Sequence, residues 1–413
     1  MVIVVRSTVF SLRDRPLYLW VFFAIPALAT FGHAIAPGQA VFKGQDLGII
    51  ADIFATFFAV ALWVPYRRTG RWSNSVFVLL AVVFAAWLYE IIRIQWDQSL
   101  FNDTVVTVPV ALALIALKPV GKRDLVIALL VLAYSLIAIS VASLVFGGLG
   151  WMPNGFRVSD ALEGRIPLLN LVGVPNRWGG PFESVNYASP IGGLLIVIGA
   201  SRRGWNRWII LVGGIVILAL GQARTSIFAT VAALLLLVMW SPVVTRLPCP
   251  PMIRCLIAGV AAVVGILYVV VVDPTFNGRT PIWSDFLALW HQNPVFGIGD
   301  SGVRAYMESR VGTGLVTHSH AHSVLLDALV RYGLVLALLT LVIFGIAVYA
   351  SIRALKSGDP SPLAITVFVL LAGSTETIHS WHYWTAYMAT LVWVVLIGVG
   401  KFPRPTTSAA QST

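Results

Sequence analysis

Long apolar runs recur along the whole chain, separated by short joints that are charged or rich in glycine and proline. That pattern fixes the fold class. Windows of roughly 17 to 25 apolar residues suit helices that cross a bilayer, where every backbone polar group must be satisfied within its own segment. With 58% hydrophobic and 11% charged residues over 413 positions, the chain lacks the polar surface to enclose a soluble globule. About twelve windows can be read, at 17–36, 48–66, 74–93, 104–118, 125–147, 185–200, 208–222, 225–241, 255–272, 324–350, 363–378 and 384–400. The sequence thus predicts an all-α integral membrane protein of about twelve transmembrane helices, the sixth, seventh and eleventh short or broken by glycine.

Orientation follows from the basic residues, because Lys and Arg in short loops collect on the cytoplasmic side. With the N-terminus inside, the groups Arg6, Arg13 and Arg15, then Arg67, Arg68 and Arg71, then Lys118, Lys122 and Arg123, then Arg202, Arg203 and Arg207 all fall inside. Arg246, Arg254, Arg353, Lys356, Lys401 and Arg404 follow, about 18 of the 28 basic residues. Among the acids only Asp14, Asp124 and Asp359 join them. The net charge of +11 therefore reports topology, and no basic domain interleaved with aromatics points to nucleic acid. Both termini are expected in the cytoplasm. The small-residue pattern from His33 to Ala40 resembles a signal cleavage site, but the span-length apolar run and Pro37 favour a retained helix. Cys249 and Cys255 match neither a metal-site nor a thioredoxin-type spacing.

Two segments on the expected outer side, 148–184 and 273–323, are far longer than ordinary helix connections. Their Gly, Pro and Trp content suggests surfaces folded against the membrane, where function would reside. Three arginines break the inside bias. Arg224 lies in GQARTS between two apolar spans, Arg279 in NGRTPIW beyond the ninth, and Arg177 in NRWGGPFESVNY before the sixth. A guanidinium there binds a ligand, a phosphate oxygen pair above all, or reaches to lipid headgroups, or pairs with a carboxylate such as Glu183, Asp273 or Asp285.

Three histidines, His318, His320 and His322, stand at the mouth of the apolar segment 324–350. Imidazole can take and give protons near neutrality. On a helix His318 and His322 would share a face; the spacing is open to zinc ligation, to proton transfer or to a plain interfacial role. No cysteine stands beside them to complete a zinc set. His379 and His382, in ETIHSWHYW, sit next to an aromatic belt. Gly297, Gly299 and Gly302 in GIGDSG satisfy the dinucleotide pattern only literally, since no parallel-sheet unit surrounds them; they read as a turn.

Read in order, GQARTSIFATVAALLLL, GRTPIWSDFLALWHQNPVFGIGDSG and HSVLLDALVRYGLVL resemble the core of the O-antigen ligase/polymerase family of membrane glycosyltransferases, over about 176–336. The resemblance matches Arg224 to the arginine at a helix end and Arg279 to the Gly-Arg pair of the large external loop. His322, Ser323, nine residues and Gly333 match the closing histidine motif. It implies a GT-C-like architecture with N-terminal helices and first external loop over 1–175, a catalytic core over 176–350, and C-terminal helices with a short tail over 351–413. It also implies transfer of a glycan from a polyprenyl-diphosphate carrier to a hydroxyl on a glycan, lipid or protein acceptor, at the outer face of the cytoplasmic membrane. Neither nucleotide, metal nor other cofactor is expected. In that scheme Arg224 and Arg279 clamp the departing diphosphate, with Arg177 as a third candidate, and His322 activates the hydroxyl. His318 and His320 would be accessory substrate-binding groups, and the spans would house the polyprenyl tail.

Two alternatives stay open. The shared motifs do not separate ligation from polymerisation of repeat units on the carrier. A transporter or flippase would place ionisable groups within the bilayer, for which Asp52 and Glu90 are the candidates, though neither has a second copy in a matching half.

Overall fold

The computed structural model describes residues 16–28, 44–64, 74–96, 107–118, 120–151, 156–157, 177–178, 180–182, 185–221, 223–241, 279–309, 320–376 and 385–400. Among these the chain is helical apart from one two-residue antiparallel pairing, β1 (Phe156–Arg157) with β2 (Arg177–Trp178). The helices are α1 (Leu17–Leu28), α2 (Gly44–Trp63), α3 (Asn74–Trp96), α4 (Thr107–Leu117), α5 (Lys122–Trp151), α6 (Val185–Ala200), α7 (Asn206–Gly221), α8 (Arg224–Met239), α9 (Arg279–Trp290), α10 (Gly299–Ser309), α11 (Val324–Lys356), α12 (Ser361–Thr375) and α13 (Ala386–Val399).

Three described stretches are long and apolar enough to cross a membrane: Val76–Ile94, Lys122–Val145 and Val324–Lys356. The other apolar stretches run 10–17 residues, Ile53–Trp63 of α2 among them. Described helices fall within eleven of the twelve expected windows, three of them long enough to cross a membrane. The ninth, 255–272, lies outside the described residues, as do Cys249, Cys255, His33 to Ala40, and the side chain of Asp52.

Glycine is why the two short apolar helices α6 and α7 pair so closely. A Cβ on Gly214 would come within 2.8 Å of the Gly192 carbonyl oxygen and the Ile196 nitrogen, so only bare backbone fits there. Small residues at helix interfaces let lipid-embedded helices gain van der Waals contact at short range. The glycines that weakened the hydropathy signal are the packing device.

Side-chain contacts show which helix ends lie together. α11 and α12 run antiparallel through the turn at 357–360, with Ser351 Oγ 2.7 Å from Thr366 Oγ1. At that turn Asp359 Oδ2 lies 3.4 Å from Lys122 Nζ at the start of α5. Trp393 of α13 donates through Nε1 to the Leu125 carbonyl at 2.8 Å, and the Arg202 guanidinium, between α6 and α7, sits 5.3 Å from the Trp393 ring. Lys122, Arg202 and Asp359, all assigned to one side by the charge bias, thus gather at one end of the bundle.

The far ends of α6, α7, α11 and α12 therefore share the other end. The Ala223 amide, just before α8, donates to Ser189 Oγ of α6 at 3.0 Å, which carries Arg224 to that same end. α9 and α10, within the long segment 273–323, dock there on a small core of Ile282, Phe286, Leu289, Val303, Ala321 and Val330. The expected turn at Gly297, Gly299 and Gly302 is a turn only as far as Ile298. α10 begins at Gly299, where Asp300 in the first turn favours helix initiation through the macrodipole.

Candidate functional site

The site is assembled from three helix ends. Arg279 opens α9, Glu376 closes α12 in an extended backbone conformation, and His322 precedes Ser323, the N-cap of α11. Ser323 Oγ accepts from the Leu326 amide at 3.5 Å, which ends the loop and starts the helix. His322 itself has φ +51°, the one described residue other than glycine in the left-handed region.

The three side chains meet through Glu376. Arg279 Nη2 donates to Glu376 Oε1 in a close ion pair, and His322 Nδ1 lies 3.3 Å from Glu376 Oε2. Arg279 is 7% exposed and Glu376 2%. A carboxylate so deeply desolvated is tolerable only because both of its oxygens are engaged. The His320 ring packs 4.2 Å from the His322 ring, centroid to centroid. Nδ1 of His322 faces the carboxylate, which orients the ring.

Behind the site, two stretches of motif lock backbone to backbone. α11 breaks its helical geometry at Gly333, φ +73° and ψ −170°, and there the turn at 293–298 fits against it. Ile298 N donates to the Val330 carbonyl at 2.8 Å and Leu334 N to the Pro294 carbonyl at 3.0 Å. A Cβ on Gly297 would fall 2.5 Å from the Arg331 carbonyl, and one on Gly333 would collide with the Val295 carbonyl. The Asn-Pro-x-x-Gly-x-Gly turn and Gly333, which follows His322-Ser323 after nine intervening residues, are the two halves of one contact.

Residues 208–341 match the family model described as O-antigen ligase. The chain carries an O-antigen ligase domain. A comparison with curated proteins found no match. The O-antigen ligase domain ties the chain to surface polysaccharide assembly of the ligase or polymerase type, and it contains Arg224, Arg279, His320 and His322. Glu376 lies outside it, supplied by the C-terminal part of the chain.

Of the site residues expected from sequence, Arg279, His320 and His322 come together, and Arg224 starts α8 at the same end of the bundle. Arg177 forms part of the β1–β2 pairing, its side chain outside the described residues. His318, His379 and His382 also lie outside them. Of the carboxylates expected to compete for the arginines, Glu183 and Asp273 lie outside the described residues; the partner of Arg279 is Glu376. Sequence reasoning missed that residue, although an ionisable group at the end of an apolar span is itself a functional signal.

Proposed function

We propose that the protein transfers a glycan from a polyprenyl-diphosphate carrier to an acceptor hydroxyl at the outer face of the cytoplasmic membrane, with both termini in the cytoplasm. The observation that carries this reading is the convergence of Arg279 and His322, from two ends of the long segment, on one buried carboxylate. A base held by a carboxylate and a fixed cation beside it suit attack by an alcohol on a carbon bearing a phosphate leaving group.

In this reaction the acceptor oxygen bonds to the anomeric carbon as the bond from that carbon to the phosphate oxygen breaks. The hydroxyl proton passes to Nε2 of His322, and the bonding pair leaves with the carrier diphosphate. Charge growing on the diphosphate is met by Arg279 and Arg224, with Arg177 as a further contact, because a guanidinium can engage two phosphate oxygens at once. Direct attack inverts the anomeric configuration. Bond energy comes from the donor, so neither nucleotide nor metal has a task. His318 and His320 would contact the substrate, and the apolar spans would hold the polyprenyl chain.

Purified protein given a polyprenyl-diphosphate glycan and candidate acceptors, with products followed by mass analysis, tests the proposal. Glycan on the added acceptor marks ligation, and a lengthened glycan on the carrier marks polymerisation. Carrier moved across a vesicle bilayer without new glycosidic bonds would replace the enzyme with a flippase. A rate that chelator abolishes would overturn the metal-independent chemistry.

A further inference from the structure

His322 adopts a left-handed backbone conformation, which a Cβ disfavours, so the peptide in front of it has to be held. Both backbone polar groups of the preceding residue are taken by side chains. The amide of Ala321 donates to Asp327 Oδ1 at 3.1 Å, and the carbonyl of Ala321 accepts from Trp283 Nε1 at 2.9 Å. That carbonyl belongs to the peptide unit that sets φ of His322. Ala321 itself is fully buried.

Asp327 is fixed in turn. Its other oxygen accepts from Arg331 Nε at 3.0 Å, one turn further along α11, and Arg331 pairs through Nη1 with Asp300 at the start of α10. The side chains of Asp327 and Arg331 are 13% and 18% exposed, so this is no solvated ion pair on a helix surface. Tyr332 adds a contact to Asp300 at 3.5 Å. The network connects the external helix α10 to the backbone beside the histidine.

We infer that Asp327 is a positioning residue for His322: through the Ala321 amide it holds the imidazole where Glu376 can orient it, and Trp283 grips the same residue from the other side. Glu376 sets the ring and Asp327 sets the backbone that bears it. A base displaced by an ångström loses rate far more than affinity, since the donor is bound elsewhere in the site.

The kinetic part of the test rests on the proposed transfer reaction, and a labelling measurement on the full-length protein stands apart from it. For Asp327→Ala we expect kcat to fall about tenfold or more with donor KM within about twofold. Carbethoxylation of His322 by diethyl pyrocarbonate, followed by peptide mass analysis with His291 as internal reference, should shift by about threefold or more. Asp327→Asn retains an acceptor for the Ala321 amide and should recover most of both values. Trp283→Phe should move them in the direction of Asp327→Ala.

Wild-type kcat and labelling in Asp327→Ala would overturn the inference. So would an Asn variant as impaired as the Ala variant, which would assign the effect to the Arg331 pair instead. If Asp327→Ala does not insert or fold, unchanged labelling in Trp283→Phe overturns it and altered labelling there supports it. Absence of transfer in the wild type would remove the proposed function, while the labelling would still decide the role of Asp327.

Discussion

Nδ1 of His322 lies 3.3 Å from Oε2 of Glu376, across 54 positions of sequence. The same carboxylate takes the Arg279 guanidinium through its other oxygen. One buried group thereby fixes the spacing between an imidazole and a guanidinium carried by different segments.

Replacement of Glu376 should therefore damage the site twice. Glu376→Gln keeps the shape but removes the negative charge beside Arg279 and His322, and transfer should fall on the order of a hundredfold or more, as when the orienting acid of a catalytic triad is lost. Glu376→Ala leaves Arg279 buried and unpaired, at about 3 to 5 kcal/mol of stability. Initial rates and thermal melting in detergent separate the two effects. Full activity in the Gln variant would show that the carboxylate has no part in turnover.

At His322, chemistry and backbone strain can be told apart. Both His322→Ala and His322→Gly should lose about a hundred- to ten-thousandfold in rate, the usual contribution of a general base. The glycine variant should melt higher than the alanine variant, by up to about 1 kcal/mol, because φ +51° costs glycine nothing. Equal melting temperatures would mean that the conformation carries no strain.

The two arginines should respond differently to conservative change. Arg279→Lys replaces a fork that meets Glu376 with a compact ammonium and should lose most activity, whereas Arg224→Lys keeps a positive charge at the start of α8 and should retain more. Arg224→Ala should raise the barrier by about 3 kcal/mol if it stabilises the departing diphosphate. Rates under saturating donor for the three single variants decide this.

Gly297→Ala and Gly333→Ala should each be destabilising by about 1 to 3 kcal/mol, since the added carbon strikes backbone in both and both have positive φ. Gly345→Ala is the contrast: nothing lies within 4 Å of its Cβ position in the middle of α11, so helix propensity should make it neutral or slightly stabilising. A melting series in detergent checks all three. Similar values throughout would remove the packing explanation of the two motif glycines.

Much of this was legible before any coordinates, and for a definite reason. Hydropathy reports the solvent of each segment directly, so the apolar helices fall where the runs do. Arg224, Arg279 and His322 announced themselves as polar groups at the ends of such runs. The break in α11 at Gly333 was not legible, because an apolar stretch looks the same whether its helix is straight or opened by a turn packed against it. Nor was the helical content of the long segment 273–323, where α9 and α10 carry mixed composition.

The order of charges and apolar windows along this chain determines by itself that it forms membrane helices, and which ends carry the ionisable groups. It leaves undetermined which of those groups meet. Glu376 becomes the partner of Arg279 and His322, and Asp327 the partner of the Ala321 amide, only through the packing of α9, α11 and α12, because a buried charge must find its counterpart in space and sequence separation places no constraint on where that lies.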